Sequence, residues 1–389
     1  MTCHGLKVIV SGAGIGGLAV ALALRARGAD VTVLEQAPEI SEVGAGLQIS
    51  PNGMAVLRAL GVADALEARS MRARAVVLCD YIRKGEVLRL TLPEGDERPY
   101  LLVHRSDLID VLAAAARAKG VQVRLLQQVE RVEDADDGAC VHMRSGARLR
   151  ADLVIGADGL HSVMRPMLNT QAEPFFTGQV AWRALVPNRW NLPAEARVTM
   201  APGRHIVSYP LRDGAMVNLV AVEERDLWAD EGWHHRGDPD ELRHIFADVR
   251  GPARELLNAV ETVHLWGLFR HPVAQHWHGR ACAMVGDAAH PTLPFLAQGA
   301  NMALEDAFVL ARCLDDRTAT MAQALAAYQA ARHSRVTRVI AAANSNAWKY
   351  HLRGPVRHVA HLALGVAGRL APSRMVSQFD WLYGHDVTA

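Results

Sequence analysis

The run LKVIVSGAGIGGLAVALALRARGADVTVLE, from Leu6 to Glu35, constrains the fold more than any other stretch of the chain. Leu6 to Val10 is a short apolar strand. Gly12, Gly14 and Gly17 follow in G-x-G-x-x-G spacing, and a helical pattern then runs to a stop at Gly28. A second strand ends in Glu35. This is the start of a βαβ unit that binds a dinucleotide. Gly12 permits the tight turn, Gly14 lets the backbone approach a pyrophosphate, and Gly17 packs the helix on the strand. Glu35 is placed to accept hydrogen bonds from ribose hydroxyls, and it disfavours a 2′-phosphate, which argues against NADP in this pocket. By itself the motif fits FAD and a nicotinamide dinucleotide alike, because both carry an adenosine ribose and a pyrophosphate.

Length and composition narrow the setting. A chain of 389 residues with a formal net charge of +1 suggests two domains or a little more. The balanced charge gives no sign of a nucleic-acid or acidic partner. Cys3, Cys79, Cys140, Cys282 and Cys313 are scattered and lack metal-type spacing. They read as free thiols in a reducing compartment, hence a cytoplasmic protein with no metal site. No apolar stretch approaches the ~20 residues of a membrane span. The late segment HVAHLALGVAGRLAP carries two histidines and an arginine and reads as a packing helix.

Further along, GAGLQISPNGMAVLRALG, Gly44 to Gly61, reads as a glycine-rich loop leading to an amphipathic helix. Arg72 to Leu92 reads as two strands joined at Lys84-Gly85. Ser106 is the expected N-cap of a helix that stops at Gly120. A β-meander turns at Asp137-Gly138 and Ser145-Gly146, and more strands lie between Gln179 and Val222. From the strand ACAMVGD onward the pattern is mostly helical. β-rich segments are thus inserted into an α/β pattern, so the domains are interleaved.

A second glycine signal closes that strand: GDAAHPTLPFLAQGANMALEDA, Gly286 to Ala307. Asp287 ends a strand. Pro291 and Pro294 stiffen the loop. Gly299 and Ala300 open a helix whose N-terminus carries bare N–H groups and partial positive charge, suited to an electron-rich ligand. Leu304, Ala307, Phe308, Ala311 and Leu314 form its expected core face.

Together with GAGIGG and the middle motif GADGLHSVMR (Gly156 to Arg165), this stretch resembles the single-component FAD-dependent aromatic hydroxylases, the para-hydroxybenzoate hydroxylase class. The likeness runs from Val8 to about Arg335. Within that class GLQISPNGMAVLRALG, VAWRALVP and HIVSYPLRDG look most like the salicylate, hydroxybenzoate and hydroxynicotinate monooxygenases. The resemblance implies a Rossmann-like FAD-binding domain interleaved with a β-sheet substrate domain and a helical C-terminus. The expected division is 1–71, 98–172 and 279–345 for FAD, 72–97 and 173–278 for substrate, and 346–389 for the C-terminal helices. It implies that Arg105 contacts FAD, that Asp158 and Gly159 serve FAD and a transient NAD(P)H, and that Asp287 binds the ribityl chain. Gln298 matches a glutamine that touches the substrate hydroxyl.

The implied reaction uses NAD(P)H and O2 to hydroxylate a small phenolic aromatic or heteroaromatic acid through a flavin hydroperoxide. A phenol is far more nucleophilic once deprotonated, so a base, or a relay, is required near its hydroxyl. His205 is the expected base, against an ordinary core or rim histidine. It shares a strand face with Tyr209, four residues on. Arg183 is a candidate for a substrate carboxylate or a place near the flavin, against an ordinary ion pair, and Pro294 a candidate for substrate contact. His290 reads as structural, and His234, His235, His351, His358 and His361 form no clear ligand set. Three alternatives stay open at this point. They are a hydroxylase or epoxidase of larger polycyclic compounds, a nicotinamide dehydrogenase, and a flavin-binding protein without turnover. Either a monomer or a dimer fits.

Overall fold

The computed structural model describes residues 2–40, 45–83, 85–93, 98–170, 174–225 and 235–389. Gly44, Lys84 and His234 lie outside the described residues. The N-terminal run builds the centre of a parallel sheet. Its strand order is Cys282–Met284, Leu153–Gly156, Lys7–Ser11, Asp30–Leu34, Gln122–Arg124. The central strand is buried from Val8 to Ser11, which is why it reads as a continuous apolar run. The helix Ile15–Arg25 packs against the helices Arg105–Ala118 and Gly299–Leu314. Its approach to the sheet depends on Gly17, where a Cβ would fall 2.0 Å from the Gly12 carbonyl oxygen.

A second sheet of eight strands draws all its strands from residues 75–91 and 175–270. Its order is Arg236–Gly237, Val263–Arg270, Phe175–Pro187, Met216–Glu224, Arg204–Leu211, Glu195–Ala201, Ala75–Asp80, Glu86–Thr91. Neighbours are antiparallel except Ala75–Asp80 beside Glu195–Ala201, which run parallel. The chain therefore leaves the parallel sheet twice to build this one, as the inserted β segments suggested. One face of the sheet packs Trp182, Ile206 and Leu219 on Phe246 and Leu256. The other face is a cavity wall.

Three local readings change. Gly46–Ile49 is a strand and not a loop, because Leu101–His104 pairs with it in an antiparallel ladder. The helix Arg105–Ala118 begins one residue before Ser106, with His104 at the cap position. The Ser106 hydroxyl pairs instead with His104 Nδ1 at 2.7 Å. The helix Gly299–Leu314 does bury its expected apolar face, but it is buried all round from Asn301 to Ala311. Its polar side survives burial because Arg332 reaches Glu305 at 2.5 Å and Asp306 at 2.7 Å.

The C-terminal helix Gly354–Leu370 lies on the strand Glu86–Thr91. Gly368 makes the contact close, since a Cβ there would sit 2.4 Å from Leu88 Cδ1. Arg357 and His361 both reach Asp80, at 2.5 and 3.1 Å. The opposite face leaves Val359, Leu362 and Leu370 exposed. No helix among the described residues is long and apolar enough to cross a membrane.

Candidate active site

A cavity of about 820 Å³ lies between the parallel sheet, the eight-stranded sheet and the C-terminal helices. The turns and helix starts that follow the parallel strands supply one part of its wall: Gly12, Gly14, Glu35, Asp158, Gly159 and Asp287, the last in the short turn Gly286–Ala288 beyond the strand Cys282–Met284 and not at the strand's end. Gly12 has φ +104° and its Cβ position is blocked by the Ala157 carbonyl oxygen at 2.5 Å. At Gly14 nothing lies within 4 Å of an added Cβ, so its backbone is bare toward the cavity. Gly17 does not line the cavity and acts in packing, as its position in the motif suggested. Glu35 accepts from the backbone N–H of Ala13 at 2.8 Å and of Ala37 at 2.9 Å. Each carboxylate oxygen keeps a further lone pair for a ribose hydroxyl.

The two later motifs meet here. Asp158 Oδ2 accepts from the Val163 N–H at 3.0 Å, while its Oδ1 is buried without a partner among the described residues. Burial pushes its carboxyl up, against the hydrogen bonds it accepts. Arg165 reaches across to the carbonyls of Ala288 and Ala289. This ties the middle motif to the loop that carries Asp287. Asp287 opens onto the cavity and is otherwise enclosed by protein, which raises its carboxyl; His290 and Arg105 oppose the rise. Arg105 lines the same wall, and burial lowers its guanidinium while Asp287 supports the charge. A left-handed Ala297 at φ 52° turns the chain into the helix at Gly299. Gly299 and Ala300 then present the helix N-terminus to the cavity, with no acidic side chain in its first turn. An open glycine backbone, a helix N-terminus, an orphaned buried carboxylate oxygen and Asp287 fit a dinucleotide with a polyhydroxyl chain.

The eight-stranded sheet supplies the rest. His205, Val207 and Tyr209 line the cavity while Ile206 packs in the core behind, the alternation expected of a strand. His205 is 2% exposed, and burial, then His351, holds its imidazole well below the usual histidine range. Burial raises Tyr209 far above an ordinary phenol, with Arg183 opposing. Arg183 lies in the wall with its guanidinium 4.8 Å from the Trp266 ring centre. Burial lowers it to about 10. Pro294 opens the turn Pro294–Leu296 at the cavity edge. Gln298 is present too, but its amide is directed at Ser50 Oγ, 2.9 Å, and Asn52, 3.1 Å. Contact with a ligand falls to its second N–H and second lone pair.

Other groups at the site carried no local signal. Tyr100, Tyr350, Tyr383, Met375 and Phe379 line the cavity, most of them from the C-terminal segment. Ser50 and Asn52 join Gln298 to Glu305 through Asn52 Nδ2, 2.7 Å from Glu305. His290 stays out of the cavity wall and pairs with Asp306 at 2.5 Å, in keeping with a structural role. Away from the cavity, Glu133, Cys140 and His142 cluster with metal-like spacing, but Arg131 occupies both Glu133 and His142.

Residues 5–343 match the family model described as an FAD-binding domain. The chain belongs to this family. The chain is 37% identical to a 3-amino-4-hydroxybenzoate 2-monooxygenase of Streptomyces cremeus, covering 99% of this chain and 96% of that one. A 3-hydroxybenzoate 6-hydroxylase of Polaromonas naphthalenivorans is 33% identical over 98% of this chain and 96% of its own. HpxO of Klebsiella pneumoniae, solved with FAD and uric acid, superposes with a TM-score of 0.84 at 26% identity, covering 96% of this chain and 95% of that one. This chain is therefore an FAD-dependent monooxygenase, and the reading of the first βαβ unit as the NAD site of a dehydrogenase is set aside.

Proposed function

We propose that the chain hydroxylates a small phenolic aromatic or heteroaromatic acid, taking electrons from NAD(P)H and one oxygen atom from O2. The carrying observation is that one cavity holds both the dinucleotide cradle and, on its facing sheet, His205 with Tyr209. The relatives named above act on hydroxylated benzoates, phenols that also carry a carboxylate. When bound, FAD supplies reduction by NAD(P)H and activation of O2. The protein's own residues do the rest. Gly12, Gly14, Glu35, Arg105, Asp158, Gly159, Asp287, Gly299 and Ala300 hold the cofactor. A neutral, buried His205 accepts the phenol proton, and Tyr209 positions the substrate oxygen. Arg183 answers the carboxylate, with Gln298 and Pro294 at the edge of the ring site. Val198, Met200, Leu90 and Phe379 keep water out, which matters because water diverts the activated oxygen to peroxide.

The division into a discontinuous FAD domain, a substrate domain and C-terminal helices belongs to this reading, as do a cytoplasmic setting and a monomer or dimer. The test is NAD(P)H oxidation by the purified flavoprotein with hydroxylated benzoates and nicotinates, with peroxide measured in parallel. Strong stimulation with little peroxide supports the proposal. Stimulation by larger polycyclic phenols alone would favour the second reading, for which the apolar wall of Val76, Leu78, Leu88 and Leu92 speaks. A yellow protein that no phenol stimulates would leave flavin binding without turnover.

A further inference from the structure

The histidine of the cavity wall is the inner end of a hydrogen-bonded chain. His205 Nδ1 lies 2.8 Å from His351 Nε2. His351 is itself 4% exposed, and its Nδ1 lies 3.0 Å from Glu224 Oε1. The Glu224 side chain is 39% exposed, and its other oxygen takes Arg353 at 2.5 Å. Three side chains thus lead from the cavity to solvent. They come from two adjacent strands and from the residue that ends the helix Met321–Tyr350. The junction is braced: the Gly203 N–H donates to the His351 carbonyl at 3.1 Å, and the Glu224 N–H donates to the Gly203 carbonyl at 2.9 Å. Phe295 and Tyr350 flank the His205 ring, at 5.7 and 5.2 Å between centres.

The direction of the chain follows from donor and acceptor counting. A carboxylate only accepts, so Glu224 requires His351 to carry its proton on Nδ1. Neutral His351 then offers a lone pair at Nε2. His205 must donate to it from Nδ1, which leaves His205 Nε2 unprotonated as its free edge. A base with its lone pair held ready results from a carboxylate two residues removed from it along the chain of bonds.

We infer that His351 and Glu224 are positioning residues that set the His205 tautomer and carry the substrate's proton from the cavity to water. The inference rests on the phenol reading above. The step balances as one proton moved. The phenol O–H proton goes to His205 Nε2, the His205 Nδ1 proton to His351 Nε2, and the His351 Nδ1 proton to Glu224 and on to solvent. The substrate is left as phenolate, and no electrons move.

The experiment mixes the FAD-loaded protein with 4-hydroxy-3-nitrobenzoate, whose phenolate absorbs in the visible, in weak buffer with a pH indicator. Ionisation of the bound phenol and proton release are followed together. At a pH below that at which the free phenol ionises, the wild type is expected to ionise the probe on binding and release one proton per ligand. Glu224→Gln keeps an acceptor for His351 but cannot take its proton, and His351→Ala breaks the chain. Both are expected to slow ionisation and release by about 10-fold or more, within the range of proton-transfer catalysis. Added imidazole is expected to restore His351→Ala, which a merely structural role would not explain. Wild-type rates in both variants would overturn the relay and leave the phenol reading standing. A wild type that binds no probe, or binds it un-ionised, would overturn the phenol reading and the relay with it.

Discussion

Gly46 lies flat against Tyr209: a Cβ at Gly46 would stand 2.6 Å from the tyrosine hydroxyl and 2.7 Å from the Asn218 amide carbon. The Gly46 N–H also donates to Asn218 Oδ1 at 2.8 Å. The short strand that replaced an expected loop is therefore the back wall of the tyrosine. Gly46→Ala should push Tyr209 toward the cavity, costing about 1–3 kcal/mol of stability by overpacking. Steady-state kinetics should show a raised KM for the phenolic substrate, with FAD content little changed. An unaltered KM would mean that Tyr209 does not contact the substrate.

The first two glycines of the opening motif differ in what they tolerate. Gly12 is left-handed and hemmed in by Ala157, whereas Gly14 faces open space at φ −73°. Gly12→Ala should lower the melting temperature. Gly14→Ala should fold normally and still lose flavin, because its methyl group enters the cofactor's path. The ratio of flavin to protein absorbance, set beside the melting curve, separates the two. A yellow Gly14→Ala protein at full occupancy would contradict the assignment.

Asp287 is predicted to hold the ribityl chain. Asp287→Ala should purify with reduced FAD and rebind it more weakly in a fluorescence titration. Full occupancy after dialysis would remove Asp287 from the cofactor site.

The buried histidine also has a pH signature. Burial and His351 depress His205 well below the usual value, so the folded protein refuses a proton that the unfolded chain accepts. Stability from neutral His205 is thus complete above about pH 6.5 and is lost as pH falls below it. Melting temperatures of the wild type should drop on acidification from about pH 7.5 to about pH 5, and His205→Gln should flatten part of that slope. Some slope will persist, since burial also lowers His104, His361 and His385.

Arg332 neutralises Glu305 and Asp306 inside the protein; burial works against Asp306, yet His290 and Arg332 hold it down at about 2. Arg332→Leu leaves those carboxylates uncompensated and should cost about 3–5 kcal/mol in urea unfolding. A loss below about 1 kcal/mol would show that Arg335 and His290 suffice.

The sequence by itself determined whatever depends on near neighbours. Glycine spacing set the turn at Gly12 and the open backbone at Gly14, because steric demands act within a few residues. Strand alternation put His205 and Tyr209 on one face, because the pleat has a period of two. Three motifs in order carried the family resemblance, and that resemblance named the cofactor. The tertiary structure decided what those residues touch. His351 meets His205 from 146 residues away, and Asn52 meets Gln298 from 246. No periodicity or composition marks such pairs, since they form only when separate elements close on one another. The C-terminal helices are the clearest case. Their apolar pattern said that they pack, and only the assembled fold placed Met375 and Phe379 in the wall of the cavity. Local geometry is written in adjacent residues, whereas a polar network or a shared wall exists only once burial has brought distant segments together.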